Sequence, residues 1–83
     1  MNLKIENQKL HMVMKEIVFL VEEAEEGGYT ARALGESIFT EGDSMNELRD
    51  NIQEALACHF DDVSEKPKVA HLHFVKNEVL AIH

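Results

Sequence analysis

Three groups of side chains in this sequence carry functional groups that could do chemistry. Glu22, Glu23, Glu25 and Glu26 crowd four carboxylates into five residues just before Gly27-Gly28. Such a set attracts divalent cations or basic side chains, although the same pattern also describes a solvated hairpin tip. His71 and His73 are two apart, so on a strand they share a face and could offer two imidazoles to one zinc ion. Cys58 and His59 put a thiol beside an imidazole.

None of the three reads as a catalytic or metal centre. Two histidines without a third ligand fit a solvent-facing or interface pair better than a zinc site, and His59 would have to approach from a helix. Adjacent helical residues point about 100° apart, which spoils Cys58 and His59 as a nucleophile pair and makes Cys58 a partly buried helix residue. Gly42-Asp43-Ser44 begins like a thiamine-diphosphate motif, but its third position is wrong and it reads instead as a turn and helix cap. Nuclease chemistry needs carboxylates converging on two metal ions from several elements, and Lys68 to Val75 carries no acid. The chain is expected not to be an enzyme and to hold no metal and no cofactor.

The elements that would position these groups follow from periodicity. Glu16 to Glu23 is apolar on both alternating sides, Ile17/Phe19/Val21 and Val18/Leu20, as in a central strand covered on both faces. Gly27 and Gly28 permit a tight reversal into a second strand, Tyr29 to Leu34. Ser37 to Glu41 supplies a third strand through Ile38, Phe39 and Thr40. Ser44 and Glu47 form a capping box that starts a helix at Met45. In it, Met45, Leu48, Ile52, Ala55, Leu56, His59 and Phe60 recur at spacings of three and four and make one packing stripe. Pro67 closes the polar stretch after the helix. Lys68 to Val75 alternates again, with Ala70, Leu72 and Phe74 on one face and His71 and His73 on the other. Lys76-Asn77 reads as a turn and Glu78 to Ile82 as an extra short C-terminal strand.

The fold class is therefore α+β: a single β-β-β-α-β sheet with one helix on one face, spanning residues 15–83. Residues 1–14 show no sustained period and are expected to be an N-terminal extension, disordered unless docked. With 83 residues there is room for one modest core, so self-association would help stability. One helix also leaves a sheet face open, which places Val18, Leu20, Val69, His71, His73 and Val75 at a homo-oligomer interface.

Sixteen acidic residues against eight basic ones give a formal charge of -8 and argue against direct nucleic-acid binding. The lone cysteine cannot form an internal disulfide, and the apolar run Ile17 to Val21 is far too short to cross a bilayer. With no signal-peptide pattern, a cytoplasmic location is expected.

From Glu22 to Leu56 the sequence resembles the HicB-like family of antitoxins. The residues that carry the resemblance are the acidic segment Glu22 to Glu26, Gly27-Gly28-Tyr29, Phe39-Thr40-Glu41-Gly42-Asp43-Ser44, and the helix pattern Glu47, Asn51, Glu54-Ala55-Leu56. The resemblance implies a partial ribonuclease-H-like fold and a non-catalytic module that binds and masks a small basic RNA-cleaving toxin. It implies a partner surface at Glu22, Glu23, Glu25, Glu26 and Tyr29. Ala33 to Ser37 departs from the proline-rich connector of typical members, and with the sequence running to His83 the expectation is a small solitary member without the family's DNA-binding module. The alternative expectation is an orphan self-assembling domain with a regulatory or small-ligand role, outside any toxin–antitoxin pair.

Overall fold

The computed structural model describes residues 15–83. The expectation for residues 1–14 lies outside the described residues. Four strands, β1 (Glu16–Glu23), β2 (Tyr29–Ala33), β3 (Phe39–Gly42) and β4 (Val69–Phe74), form one mixed sheet in the order β3-β2-β1-β4. Helix α1 (Met45–His59) and a single 3-10 turn (Val63–Glu65) connect β3 to β4. β1 is central as its sequence implies: it pairs antiparallel with β2 and parallel with β4. The α+β class and the β-β-β-α-β order both hold.

The β1–β2 reversal is closed by backbone bonds from Ala24 N–H to Gly28 O and from Gly27 N–H to Ala24 O, both 3.0 Å. It requires positive φ at Gly27 (+102°) and Gly28 (+83°), a region that side chains with a Cβ rarely enter. Gly28 has a second constraint: a Cβ there would lie 2.8 Å from the Gly42 carbonyl oxygen on the paired stretch of β3.

Helix α1 starts at Met45 as its cap dictates. The Ser44 side chain accepts from Glu47 N–H at 3.1 Å, and the Glu47 carboxylate accepts from Asp43 N–H at 2.8 Å, one residue upstream of the usual box. Asn51 adds a tether by donating its side-chain amide to Glu41 O at 2.7 Å. The close approach of helix and strand is possible because β3 ends in Gly42, where a Cβ would sit 2.6 Å from Leu48 N. Ala31 and Ala33 of β2 are likewise small and buried beneath the helix layer. The core is completed by Ile17, Phe19 and Val21 of β1, Ile38, and Leu48, Ile52 and Leu56 of the helix.

Several sequence expectations need correction. β2 stops at Ala33 and β3 begins at Phe39 rather than Ser37, because Ala33 N–H bonds Ile38 O across a tighter connection. Helix α1 stops at His59. Phe60 is its extended C-cap, half-buried against the core, and His59 leaves the apolar stripe to meet Glu36, Nε2 to Oε1 3.1 Å. Cys58 is exposed rather than partly buried, since the stripe through Leu48, Ile52 and Leu56 leaves position 58 on the outer side. The turn at Lys76-Asn77 and the strand from Glu78 to Ile82 do not form. Among the described residues, 75–83 have no strand partner, and no non-glycine residue takes the positive φ that a two-residue reversal needs.

Candidate functional site

Because β1 and β4 are parallel, their carboxyl ends lie side by side, and the cleft there is the leading candidate site. Val21, Glu23 and Tyr29 line one side, with Glu22 and Glu25 at the rim; Phe74, Val75 and Lys76 form the other side. Val21 is fully buried, whereas Phe74 is 62 % exposed, so the cleft has an apolar floor that is only partly covered. Three carboxylates against the single ammonium of Lys76 make its rim acidic. An arrangement of this kind suits a Lys or Arg side chain, whose aliphatic stem covers apolar surface while its cation meets the rim.

Strand alternation splits the acidic residues that the sequence grouped together. Glu23 is paired with Tyr29, and Glu22 with Thr30. Glu23 and Tyr29 therefore stand on the helix side of the sheet with Val21, and Glu22 on the open side. Glu25 lines the cleft from the turn, and Glu26, also exposed, lies outside it. Tyr29 is half-buried and packs against the core, so it is a wall of the cleft rather than a free surface aromatic.

The residues expected at an oligomer interface fall on one face. Glu16 pairs with Val69, Val18 with His71 and Leu20 with His73, which puts these side chains together on the open side of the sheet, with Val75 continuing the row. Val18 and Leu20 are half-buried; His71 and His73 are exposed. Sequence inspection missed two features of this face. The Glu16 carboxylate meets His71, Oε1 to Nε2 2.7 Å, across 55 residues of chain. A row Phe39–Arg32–Leu20–His73 runs across all four strands, with Phe39 63 % exposed. Only the pairing register reveals either, because no local spacing links the residues involved. Arg32, Thr30 and the histidines make the open face mixed rather than uniformly apolar.

His71 and His73 stack edge-on, with ring centroids 6.5 Å apart. Among the described residues no three His, Cys, Asp or Glu side chains are grouped to hold a metal ion. The Asp62 carboxyl is held below its ordinary range because it accepts hydrogen bonds from the Ser64 backbone N–H (3.0 Å) and hydroxyl (2.9 Å), and it thereby caps the 3-10 turn. It lies away from the cleft and serves local structure. No helix among the described residues is long and apolar enough to cross a membrane.

The chain is similar to a UPF0150 protein of Thermotoga maritima, with 46% identity over 68 residues covering 82% of this chain and 94% of the relative. It is also similar to a UPF0150 protein of Archaeoglobus fulgidus, with 50% identity over 54 residues covering 65% of this chain and 79% of that relative. No protein-family model and no solved structure matches the chain.

Proposed function

The chain belongs to the UPF0150 family, and from that premise we propose that it is a non-catalytic protein-interaction module resembling a HicB-type antitoxin, which binds and masks a small basic RNA-cleaving protein. The observation that carries this reading is the cleft at the carboxyl ends of β1 and β4, with an acidic rim over a partly open apolar floor. Charge supports it. Residues 15–66 hold fourteen carboxylates against four Lys and Arg side chains, a field that draws a basic partner in quickly and repels nucleic acid. Masking a ribonuclease needs no turnover from the masking protein, and a cytoplasmic location would give it access to such a partner.

The test has two steps. Affinity capture at low salt from the native host should recover a small basic protein, and that protein alone should cleave RNA and lose the activity when this chain is added. Calorimetry with the purified pair should then show a Kd at least tenfold weaker for Glu22→Gln/Glu23→Gln/Glu25→Gln, with binding falling as salt rises. Recovery of only neutral or acidic partners, or unchanged affinity in the triple variant, would sink the reading.

A further inference from the structure

Among the described residues, one sheet edge and one strand-forming segment are left unpaired in the same molecule. β4 is outermost in the order β3-β2-β1-β4. Val69 N–H and Val75 N–H point inward, to Lys15 O at 3.3 Å and Val21 O at 2.8 Å. Backbone groups alternate along a strand, so Ala70, Leu72 and Phe74 turn their N–H and C=O groups toward the free edge. Directly beyond lies an arm, residues 75–83, whose Val79, Leu80 and Ile82 are 87, 74 and 83 % exposed. It does not fold back onto its own β4, since neither Lys76 nor Asn77 takes positive φ.

We infer that the arm of one copy adds as a fifth strand to the free edge of β4 in a second copy, and reciprocally, giving a two-fold dimer. Three observations choose a second copy as the occupant. The arm and the edge are complementary and belong to one chain, so a symmetric exchange pairs both at once, as in other domain-swapped dimers. Charge concentrates elsewhere: residues 67–83 hold one carboxylate, Glu78, against Lys68 and Lys76, so two copies of an acidic chain meet where their repulsion is least. Reach also fits, since the six residues of β4 span about 20 Å and the arm beyond Lys76 is of similar length when extended. The exchange would cover Phe74 and the arm's own apolar side chains, adding to a core that in one copy is small. The exchange shares Phe74, Val75 and Lys76 with the wall of the acidic cleft, but its test reads self-association of the chain alone and so fails or holds separately from the partner reading.

The experiment uses the full chain. Light scattering from micromolar to near-millimolar concentration should report a dimer. Ala70→Pro removes an outward N–H and leaves the inward bonds to β1 in place, and proline is tolerated on edge strands in that orientation. Leu80→Asp places a charge at a side chain that is 74 % exposed and outside the core cluster of the described residues, so it leaves the packing of the body intact. Each should weaken the dimer at least tenfold, with the far-ultraviolet circular dichroism of Leu80→Asp retaining the signal of helix and sheet. In a mixture of isotopically labelled and unlabelled copies, contacts filtered for inter-copy transfer should join amides of 78–82 to those of 70–74. A strictly monomeric chain, a dimer indifferent to Leu80→Asp, or filtered contacts that join β4 to β4 or Val18 to Leu20 instead would each overturn the exchange.

Discussion

The two ends of β1 and β4 offer a comparison between one reversal that closes and one that stays open. After β1, Ala24 to Gly28 turns the chain back and Tyr29 pairs with Glu23. After β4, Lys76 and Asn77 are followed by a segment just as apolar as β2, yet the chain runs on. Both following segments have strand-forming composition. The difference is in the connection: Gly27 and Gly28 occupy positive φ, and nothing in the second connection does. Strand propensity therefore proposes a partner, and the few residues between decide whether that partner can come from the same copy.

The comparison can be broken at its closed end. Gly28→Ala combines left-handed strain with a Cβ placed 2.8 Å from Gly42 O, and should remove ~2–4 kcal/mol of stability in denaturant unfolding. A loss under ~1 kcal/mol would mean that β3 yields easily at Gly42. Gly27→Ala meets nothing within 4 Å, so only the strain counts and the loss should be ~1–2 kcal/mol. Equal losses for the two glycines would refute the role given to the Gly42 contact.

At the open end the comparison can be sharpened by installing the missing geometry. Lys76→Asn/Asn77→Gly writes an Asn-Gly reversal between β4 and the arm, worth ~1 kcal/mol toward a hairpin within one copy. Hydrogen exchange should then show protected amides at 79–82 in a monomer, and the dimer fraction should fall about fivefold at fixed concentration. An unchanged dimer with an unprotected arm would show that the turn is not what keeps the arm open.

The smallest effect belongs to Asp62, whose hydrogen bonds from Ser64 hold its carboxyl below the ordinary 3.8. A depressed carboxyl stabilises the folded state fully above its unfolded value and loses that contribution as pH falls through the lower folded value. Asp62→Asn should therefore lower stability slightly at pH 7, with the difference from the native chain shrinking as pH falls below about 4. A difference that grows as pH falls below about 4 would contradict this.

Much of the frame was legible from the sequence, because its signals are local. Alternation marked β1 and β4, the Gly-Gly pair marked the first reversal, and Ser44 with Glu47 set the first residue of the helix; each involves groups fewer than ten residues apart. The apolar period of the helix selected Leu48, Ile52 and Leu56 correctly, but it could not see that the last turn lifts His59 toward Glu36 and leaves Cys58 exposed. The candidate site was less legible. Four neighbouring glutamates looked like one patch, and strand alternation divides them between two faces and a turn.

What the sequence determined by itself is the identity and order of the elements, since hydrogen-bonded turns, caps and apolar periods arise from residues close in the chain. Tertiary structure alone decided which strands became neighbours. The parallel pairing of β1 with β4 brings Glu16 to His71, sets Phe74 beside the acidic rim and leaves β4 at the edge. Those contacts join residues about fifty positions apart, where no local pattern carries a signal and only the packing of helix on sheet fixes the register.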